Sequence, residues 1–280
     1  MTPLTFLALA ALGLLVGAYG TLIGAGGGFI LVPVLLLLYP TESPATITSI
    51  SLAVVGLNAL SGTLAYARQR RVDVASGLRF ALATIPGAVA GALVVQWLPR
   101  GLFDLILGLL LVGGGGLVLV TAHRPENGPD PADSPPQPGQ TMRMITDRTG
   151  KTYRYAYSLP LGLIASLLVG FLSSVLGIGG GIIHVPVLVH LLHFPAHIAT
   201  ATSHFVLAIM ALTATVVHLL TGEFHTGWRR ASALALGVVV GAQIGARLAQ
   251  RVHGTLILRL LALALMLVGL RLLLHGASGL

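Results

Sequence analysis

The sequence predicts an all-α membrane protein built from two related halves, and three observations support that prediction. First, 55% of the 280 residues are hydrophobic and only 9% are charged, with a mean hydropathy of +0.92. A soluble domain carries about 25% charged residues. Second, the apolar stretches are long enough to cross a bilayer. Third, one glycine-rich segment occurs twice.

The glycine-rich segment is the strongest internal repeat. Residues 24–35 read Gly-Ala-Gly-Gly-Gly-Phe-Ile-Leu-Val-Pro-Val-Leu, and residues 177–188 read Gly-Ile-Gly-Gly-Gly-Ile-Ile-His-Val-Pro-Val-Leu, with nine of twelve positions identical. Glycine costs about 1 kcal/mol and proline about 3 kcal/mol relative to alanine inside a helix, so both copies should break a helix. Broken backbone survives in a bilayer only where protein buries it or it lines a wet cavity. Two broken segments at corresponding positions indicate a transporter binding site.

Each half begins with a segment too long for one crossing. Residues 4–39 form an apolar stretch of 36 residues, roughly 54 Å as a straight helix against a hydrocarbon core of about 30 Å. A broken helix or a hairpin is therefore required, followed by three spans in each half. The predicted segments are 4–39, 45–67, 74–97 and 101–121, then 157–192, 198–221, 227–249 and 254–274. The predicted domains are 1–122, 123–156 and 157–280.

Two further pairs of segments extend the repeat. Ala-Thr-Ile-Thr-Ser at 45–49 corresponds to Ala-Thr-Ala-Thr-Ser at 199–203. Gly-Ala-Val-Ala-Gly-Ala at 87–92 corresponds to Gly-Ala-Gln-Ile-Gly-Ala at 241–246. The Gly-x-x-x-Gly spacing in the second pair predicts close helix packing.

The region between the halves is polar. Residues 123–140 contain six prolines and three acidic residues, which predicts a flexible linker. Residues 142–146 and 151–155 flank Asp147-Arg148-Thr149-Gly150 and predict a small β-hairpin outside the membrane. Its tyrosines and arginines could instead lie on lipid headgroups.

The basic residues predict orientation. If each glycine break reverses the chain, the halves are inverted relative to each other; if each long segment crosses once, they are not. In the inverted arrangement one face carries Arg68, Arg70, Arg71, Arg247 and Arg251; otherwise Arg229 and Arg230 replace the last two. Both arrangements place the Lys/Arg excess on the linker side, which is therefore predicted to be cytoplasmic. We favour inversion because a hairpin accommodates 36 residues better.

The doubled glycine–proline motif, followed each time by Ala-Thr-x-Thr-Ser, resembles the TauE/SafE family of membrane permeases over about residues 5–275. The resemblance implies the inner membrane of a bacterium and a sulfite or organosulfonate cargo. It specifies a family better than it specifies a substrate.

Backbone amides at the glycine breaks, together with the positive end of a helix dipole, favour an anion; the glycines could instead only permit tight helix crossing. Hydroxyls at the starts of the next spans could donate to oxyanion oxygens or simply cap helices. Arg79 could bind the anion or extend to the interface. The predicted substrate-binding residues are Gly26, Gly27, Gly28, Thr48, Ser49, Arg79, Gly179, Gly180, Gly181, Thr202, Ser203 and His204.

A second group of residues is predicted to serve gating or coupling. His204 corresponds to Ile50 in the first half, an asymmetry that suggests anion contact, proton coupling or a packing histidine. Asn58 and Gln243 either line a path or bridge helices. The predicted gating or coupling residues are Pro33, Pro186, His184, His190, Asn58 and Gln243. Asp104 should pair locally with Arg100.

Several function classes are disfavoured. The chain has no cysteine, which excludes disulfides and thiolate metal sites, and its scattered histidines predict no metal site or cofactor. The net charge of +8 does not indicate nucleic acid, because the arginines lie mainly between spans. Neither a P-loop nor a Gly-x-Ser-x-Gly turn occurs.

We predict a secondary transporter that exports a small sulfur-containing anion by alternating access, coupled to protons or membrane potential. The alternatives are a permease for another anion such as a carboxylate, or an intramembrane enzyme. Oligomeric state stays open.

Overall fold

The structure, a computed structural model, describes residues 2–121, 139–225, 227–249 and 255–278. It is mainly helical, which confirms the predicted all-α membrane class. Six helices in the described ranges are long and apolar enough to cross a membrane. Residues 123–138 of the predicted linker (123–140) and Arg251 lie outside the described residues.

The elements follow in chain order. The first half contains α1 (Pro3–Leu22), α2 (Gly28–Leu38), α3 (Pro44–Arg68), α4 (Val74–Val94) and α5 (Arg100–Thr121). Then come β1 (Thr141–Thr146) and β2 (Thr152–Tyr157). The second half contains α6 (Leu159–Leu176), α7 (Gly181–Leu191), α8 (Ala196–Leu220), α9 (Trp228–Leu248) and α10 (Thr255–Ser278).

The first long segment doubles back at its glycine break. The start of α1 shares a surface groove with the start of α9, including Pro3 and Trp228. Just beyond the end of α2, the guanidinium of Arg230 lies 3.8 Å from the ring centre of Tyr39. Both ends of α1–α2 therefore lie beside the same end of α9, and the segment is a hairpin.

The second long segment also doubles back. Tyr157, just before α6, and Phe194, just after α7, have ring centres 5.1 Å apart. Helix α7 is α-helical from Gly181 to Pro186 and π-helical from Val187 to Leu191. Both ends of α6–α7 therefore lie on the side of the β-hairpin.

The two halves interlock rather than sit side by side. Helix α1 packs on α9, α6 on α4, α3 on α8 and α5 on α10. A Cβ atom on Gly87 would overlap the carbonyl oxygen of Leu167, and one on Gly241 would overlap that of Leu14. The predicted close packing at both Gly-x-x-x-Gly segments is confirmed.

The predicted β-hairpin is confirmed as an antiparallel pair in which Arg143 faces Tyr155. At the turn, Asp147 Oδ1 accepts from the amides of Thr149 and Lys151. Strand β2 continues to Tyr157. Tyr155 and Tyr157 are buried, so these two tyrosines pack on the protein and do not lie on headgroups.

Ion pairs close the opposite end of the bundle. Arg100 Nε donates to Asp104 Oδ1 at 3.0 Å, which confirms the predicted local pair. His275 of α10 contacts the same carboxylate, so α5 and α10 share it. Arg230 Nη1 donates to Glu42 at 2.7 Å, which fixes the loop after α2 to α9.

Candidate functional site

The two glycine breaks lie against each other in the interior. A Cβ on Gly28 would lie 2.6 Å from the carbonyl carbon and oxygen of Ile178, and one on Gly181 would overlap the backbone of Ala25. Glycine is thus required here because backbone meets backbone. The structure brings together two segments that are 153 residues apart in the sequence.

The glycines also supply backbone conformations that other residues rarely adopt. Gly27 has φ +84° and Gly180 has φ +68°, in the left-handed region that glycine enters without steric cost. Among the described residues, no hydrogen-bond acceptor takes the amides of Gly27 and Gly180. These amides stand at the starts of α2 and α7, where the positive ends of the helix dipoles lie.

A polar network ties the first break in place. Asn58 Nδ2 donates to the carbonyl oxygen of Gly26 at 3.0 Å, and Asn58 Oδ1 accepts from the hydroxyl of Thr21 at 3.2 Å. His204 Nε2 lies 3.3 Å from the same hydroxyl. Tyr66 donates to the carbonyl oxygen of Thr21 at 2.7 Å. Asn58 therefore bridges helices, and His204 of the second half belongs to the first break.

His184 is the central polar residue at the second break. Its Nδ1 lies 3.3 Å from Ser203 Oγ, and its Nε2 lies 3.4 Å from Ser166 Oγ. All three residues are buried. His184 and Ser203 line a small cavity together with Thr84, Gly179, Gly180 and Gly181. The cavity leaves about 10 Å³ for the centre of a water molecule, which is room for about one water.

Several predicted substrate-binding hydroxyls are engaged elsewhere. Thr48 Oγ1 donates to Ala45 O, and Ser49 Oγ donates to Thr46 O. Such bonds to the preceding turn satisfy a buried hydroxyl within its own helix. Thr202 Oγ1 accepts the amide of Asp73 at 3.0 Å, so it joins α8 to the start of α4.

The remaining predicted residues vary in position. Arg79 and His190 are exposed, so neither reaches the breaks in this conformation. Gln243 donates to Ser61 O and Oγ at 2.8 and 2.9 Å. Of the two predicted roles for Gln243, lining a path or bridging helices, this contact corresponds to bridging, between α9 and α3. Pro33 is buried inside α2, and Pro186 directly precedes the π-helical end of α7.

Sequence reasoning missed three serines around the breaks. Ser51 Oγ donates to the carbonyl oxygen of Gly177 at 2.6 Å, which holds the second break to α3. Ser166 contacts His184, and Ser173 lies against Gly180. Ser166 and Ser173 are seven residues apart, two helical turns on one face of α6. That spacing is a signal that the sequence contained.

A buried carboxylate connects the β-hairpin to this region. Asp73 accepts from Arg143 at 2.6 and 3.0 Å and from the Tyr155 hydroxyl at 2.7 Å. Burial opposes ionisation of Asp73, but hydrogen bonds from Arg143, Ser76 and Tyr155 outweigh it and hold its pKa below the ordinary value. Because the Asp73 amide donates to Thr202, the hairpin reaches the residue next to Ser203.

In the described ranges, six helices are apolar and long enough to cross a membrane, and two hairpins meet at their glycine breaks among buried polar residues. This arrangement fits a multi-pass membrane transporter, the class to which the matching family and relatives belong. The family model described as "Sulfite exporter TauE/SafE" matches residues 9–272. The chain belongs to the TauE/SafE family, which confirms the resemblance that its motifs suggested.

Curated relatives support the same class. The chain is 32% identical over 280 residues to the probable membrane transporter protein YunE of Bacillus subtilis, covering 98% of this chain and 99% of that protein. It is 21% identical to the probable membrane transporter protein MJ0441 of Methanocaldococcus jannaschii, covering 87% and 86%. It is 25% identical to the probable membrane transporter protein YfcA of Escherichia coli K12, covering 89% and 82%. No solved structure matches the chain significantly.

Proposed function

We propose that the chain is a secondary transporter that exports a small sulfur-containing anion, sulfite or an organosulfonate, across a bacterial inner membrane. The observation that carries this proposal is the meeting of the two glycine breaks. Each break has, at a helix start, a backbone amide for which the described part of the chain provides no acceptor. Such amides and the adjoining dipole favour an oxyanion.

The surroundings of the second break support an anion over a cation. The residues that line its cavity include the imidazole of His184 and the hydroxyls of Ser203 and Thr84, and none of them is acidic. The imidazole of His184 and the hydroxyl of Ser203 would donate to the oxygens of a sulfur oxyanion, whereas the Thr84 hydroxyl donates to Ala81 O. The description of the family model, a sulfite exporter, agrees with this choice of cargo.

Alternating access would follow from an inverted arrangement of the halves, which we also propose. The α1–α2 hairpin starts and ends beside the start of α9, whereas α6–α7 starts and ends beside the β-hairpin. The breaks would then be reached from opposite sides, and rearrangement of the hairpins would expose the site to each side in turn.

The basic residues support a cytoplasmic position for the linker side. Gln69, which lies between Arg68 and Arg70, donates to Ala246 O and accepts the amide of Arg148. Arginines from α3, the β-hairpin and α9 therefore gather at one end of the bundle, as inversion predicts. His184 and His204 would serve proton coupling, because each lies buried at one of the two breaks.

Flux in proteoliposomes tests the proposal. Purified protein is reconstituted, and uptake of radiolabelled sulfite is measured with unlabelled sulfite, taurine, sulfate and acetate as competitors. We expect saturable sulfite flux that sulfonates inhibit and acetate does not. Preferential inhibition by acetate would instead favour a carboxylate permease, and absence of flux with every anion would refute the proposed cargo class.

A further inference from the structure

The helix before each glycine break carries a different residue at one corresponding position: glycine before the first break and serine before the second. Gly20 lies seven residues before Gly27, and Ser173 lies seven residues before Gly180. At the first break, a Cβ on Gly20 would overlap the amide of Gly27, and the carbonyl oxygen of Gly20 accepts two break amides. The backbone of α1 therefore closes directly on the first break. At the second break a hydroxyl side chain takes that place.

The hydroxyl of Ser173 has no partner. Its residue is 0% exposed, and no group in the described ranges lies within hydrogen-bonding geometry of Ser173 Oγ. Most buried hydroxyls in helices donate to their own preceding turn, as Thr84 does to Ala81 O. Ser173 does not. A buried polar atom left unpaired in a native structure calls for an explanation, and a role in binding a ligand is one.

The position of Ser173 points to that ligand. Ser173 Oγ lies 2.6 Å from where a Cβ on Gly180 would stand. Gly180 lines the cavity together with His184 and Ser203, and its amide has no acceptor among the residues that the structure describes. Ser173 therefore contacts Gly180, the glycine that lies between it and the cavity residues His184 and Ser203. At the first break, by contrast, the side chains of Thr21 and Asn58 are already hydrogen-bonded. Thr21 donates to Asn58, and Asn58 donates to Gly26 O.

We propose that the anion binds only at the second break and that Ser173 donates a hydrogen bond to it directly. In this proposal the first break packs against the second and supports it without contacting the anion. This inference rests on the proposed function, because it names the ligand residue of the same site. The ligand class is an oxyanion with a sulfur centre, and the fit requires the cavity to widen when the site opens.

Ser174 offers a matched control. It is also 0% exposed, and its hydroxyl is also without a partner among the described residues. Its side chain, however, lies against α4, where a Cβ on Gly91 would come 2.9 Å from Ser174 Cβ. The two serines therefore share burial and an unpaired hydroxyl but differ in proximity to Gly180.

The first experiment uses single cysteines, because the chain has none. Ser173→Cys and Ser174→Cys are treated with the anionic reagent sulfonatoethyl methanethiosulfonate and with its cationic trimethylammonioethyl analogue. The thiolate forms a disulfide with the reagent's sulfenyl sulfur, and methanesulfinate leaves. We expect Ser173→Cys to react with the anionic reagent at least about tenfold faster than with the cationic one, and Ser174→Cys to react with neither. An unlabelled Ser173→Cys, or equal rates with both reagents, overturns the inference.

The second experiment uses Ser173→Ala and Ser174→Ala. Removing an unsatisfied buried hydroxyl should leave thermal stability unchanged or raise it in both variants. Sulfite affinity should fall about tenfold to a hundredfold in Ser173→Ala only, as expected for one hydrogen bond to a charged group. Wild-type affinity in Ser173→Ala overturns the inference. If wild-type protein binds no sulfite while Ser173→Cys still prefers the anionic reagent, the proposed cargo fails but the anion site stands.

Discussion

The contact between Arg143 and Asp73 allows a quantitative prediction about the β-hairpin. Two guanidinium nitrogens of Arg143 donate to a carboxylate whose side chain is 0% exposed, at 2.6 and 3.0 Å. Ser76 and Tyr155 provide the other bonds to Asp73. Replacing Arg143 with alanine (Arg143→Ala) removes the cation that, among the residues with described positions, is bonded to Asp73, and it leaves the carboxylate charge buried.

The magnitude follows from burial. Breaking a buried ion pair by removing one partner costs about 3–5 kcal/mol, but the Arg143 side chain is 32% exposed, and water would replace part of its interaction. We therefore expect a loss of about 2–3 kcal/mol, or a drop in Tm on the order of 5 °C. Arg143→Lys keeps the charge but loses the two-pronged geometry, so it should fall between the wild type and Arg143→Ala.

The effect should depend on pH in one direction. The folded-state pKa of Asp73 lies below its ordinary value, so its ionised form stabilises the fold above the unfolded-state pKa of about 3.9. That contribution is lost as pH falls through the folded-state pKa. The Tm difference between wild type and Arg143→Ala should therefore hold between about pH 5 and pH 8 and shrink below about pH 4.

The assay is thermal unfolding of detergent-solubilised protein across that pH range, with Arg154→Ala as a control because Arg154 is exposed on the same hairpin. If Arg143→Ala unfolds within about 1 °C of the wild type at pH 7, or if the Tm difference grows on acidification, the Arg143–Asp73 pair does not stabilise the fold in this way.

Further predictions concern packing and topology. Gly87→Ala and Gly241→Ala should each lower Tm by several degrees, because a Cβ there overlaps a backbone oxygen of the facing helix; unchanged Tm would contradict that packing. Gly27→Ala should also lower Tm, because Gly27 has φ +84° and the new Cβ would lie 2.6 Å from Val16. An unchanged Tm with reduced sulfite affinity would contradict a structural role for Gly27. In intact cells, an impermeant maleimide should label Thr221→Cys but not Thr149→Cys if the halves are inverted; the reverse pattern, or equal labelling, would rule inversion out.

Local chemistry made much of the fold predictable. The glycine runs identified both breaks because only glycine tolerates the positive φ at Gly27 and Gly180. The Gly-x-x-x-Gly segments identified close helix contacts, and the Asp147–Gly150 turn identified the β-hairpin. In each case the residues that carry the signal are near neighbours in the chain.

The site was harder to predict because its contacts join distant elements. Arg143 and Asp73 are 70 residues apart, and Thr21 and His204 are 183 apart. No local pattern indicates which helices meet. The sequence could not show that Ser49 turns to its own helix or that Arg79 faces outward, because an apolar span gives few clues to its buried face.

Counterflow of radiolabelled sulfite in proteoliposomes tests most directly whether the substrate is held at the second glycine break. Ser203→Ala removes a hydroxyl that lines the cavity and contacts His184. Ser61→Ala removes a hydroxyl that binds Gln243 between helices instead. We expect counterflow in the wild type and Ser61→Ala, and a loss of about tenfold or more in well-folded Ser203→Ala, the equivalent of one hydrogen bond. Wild-type counterflow in Ser203→Ala, or none in the wild type, would contradict it.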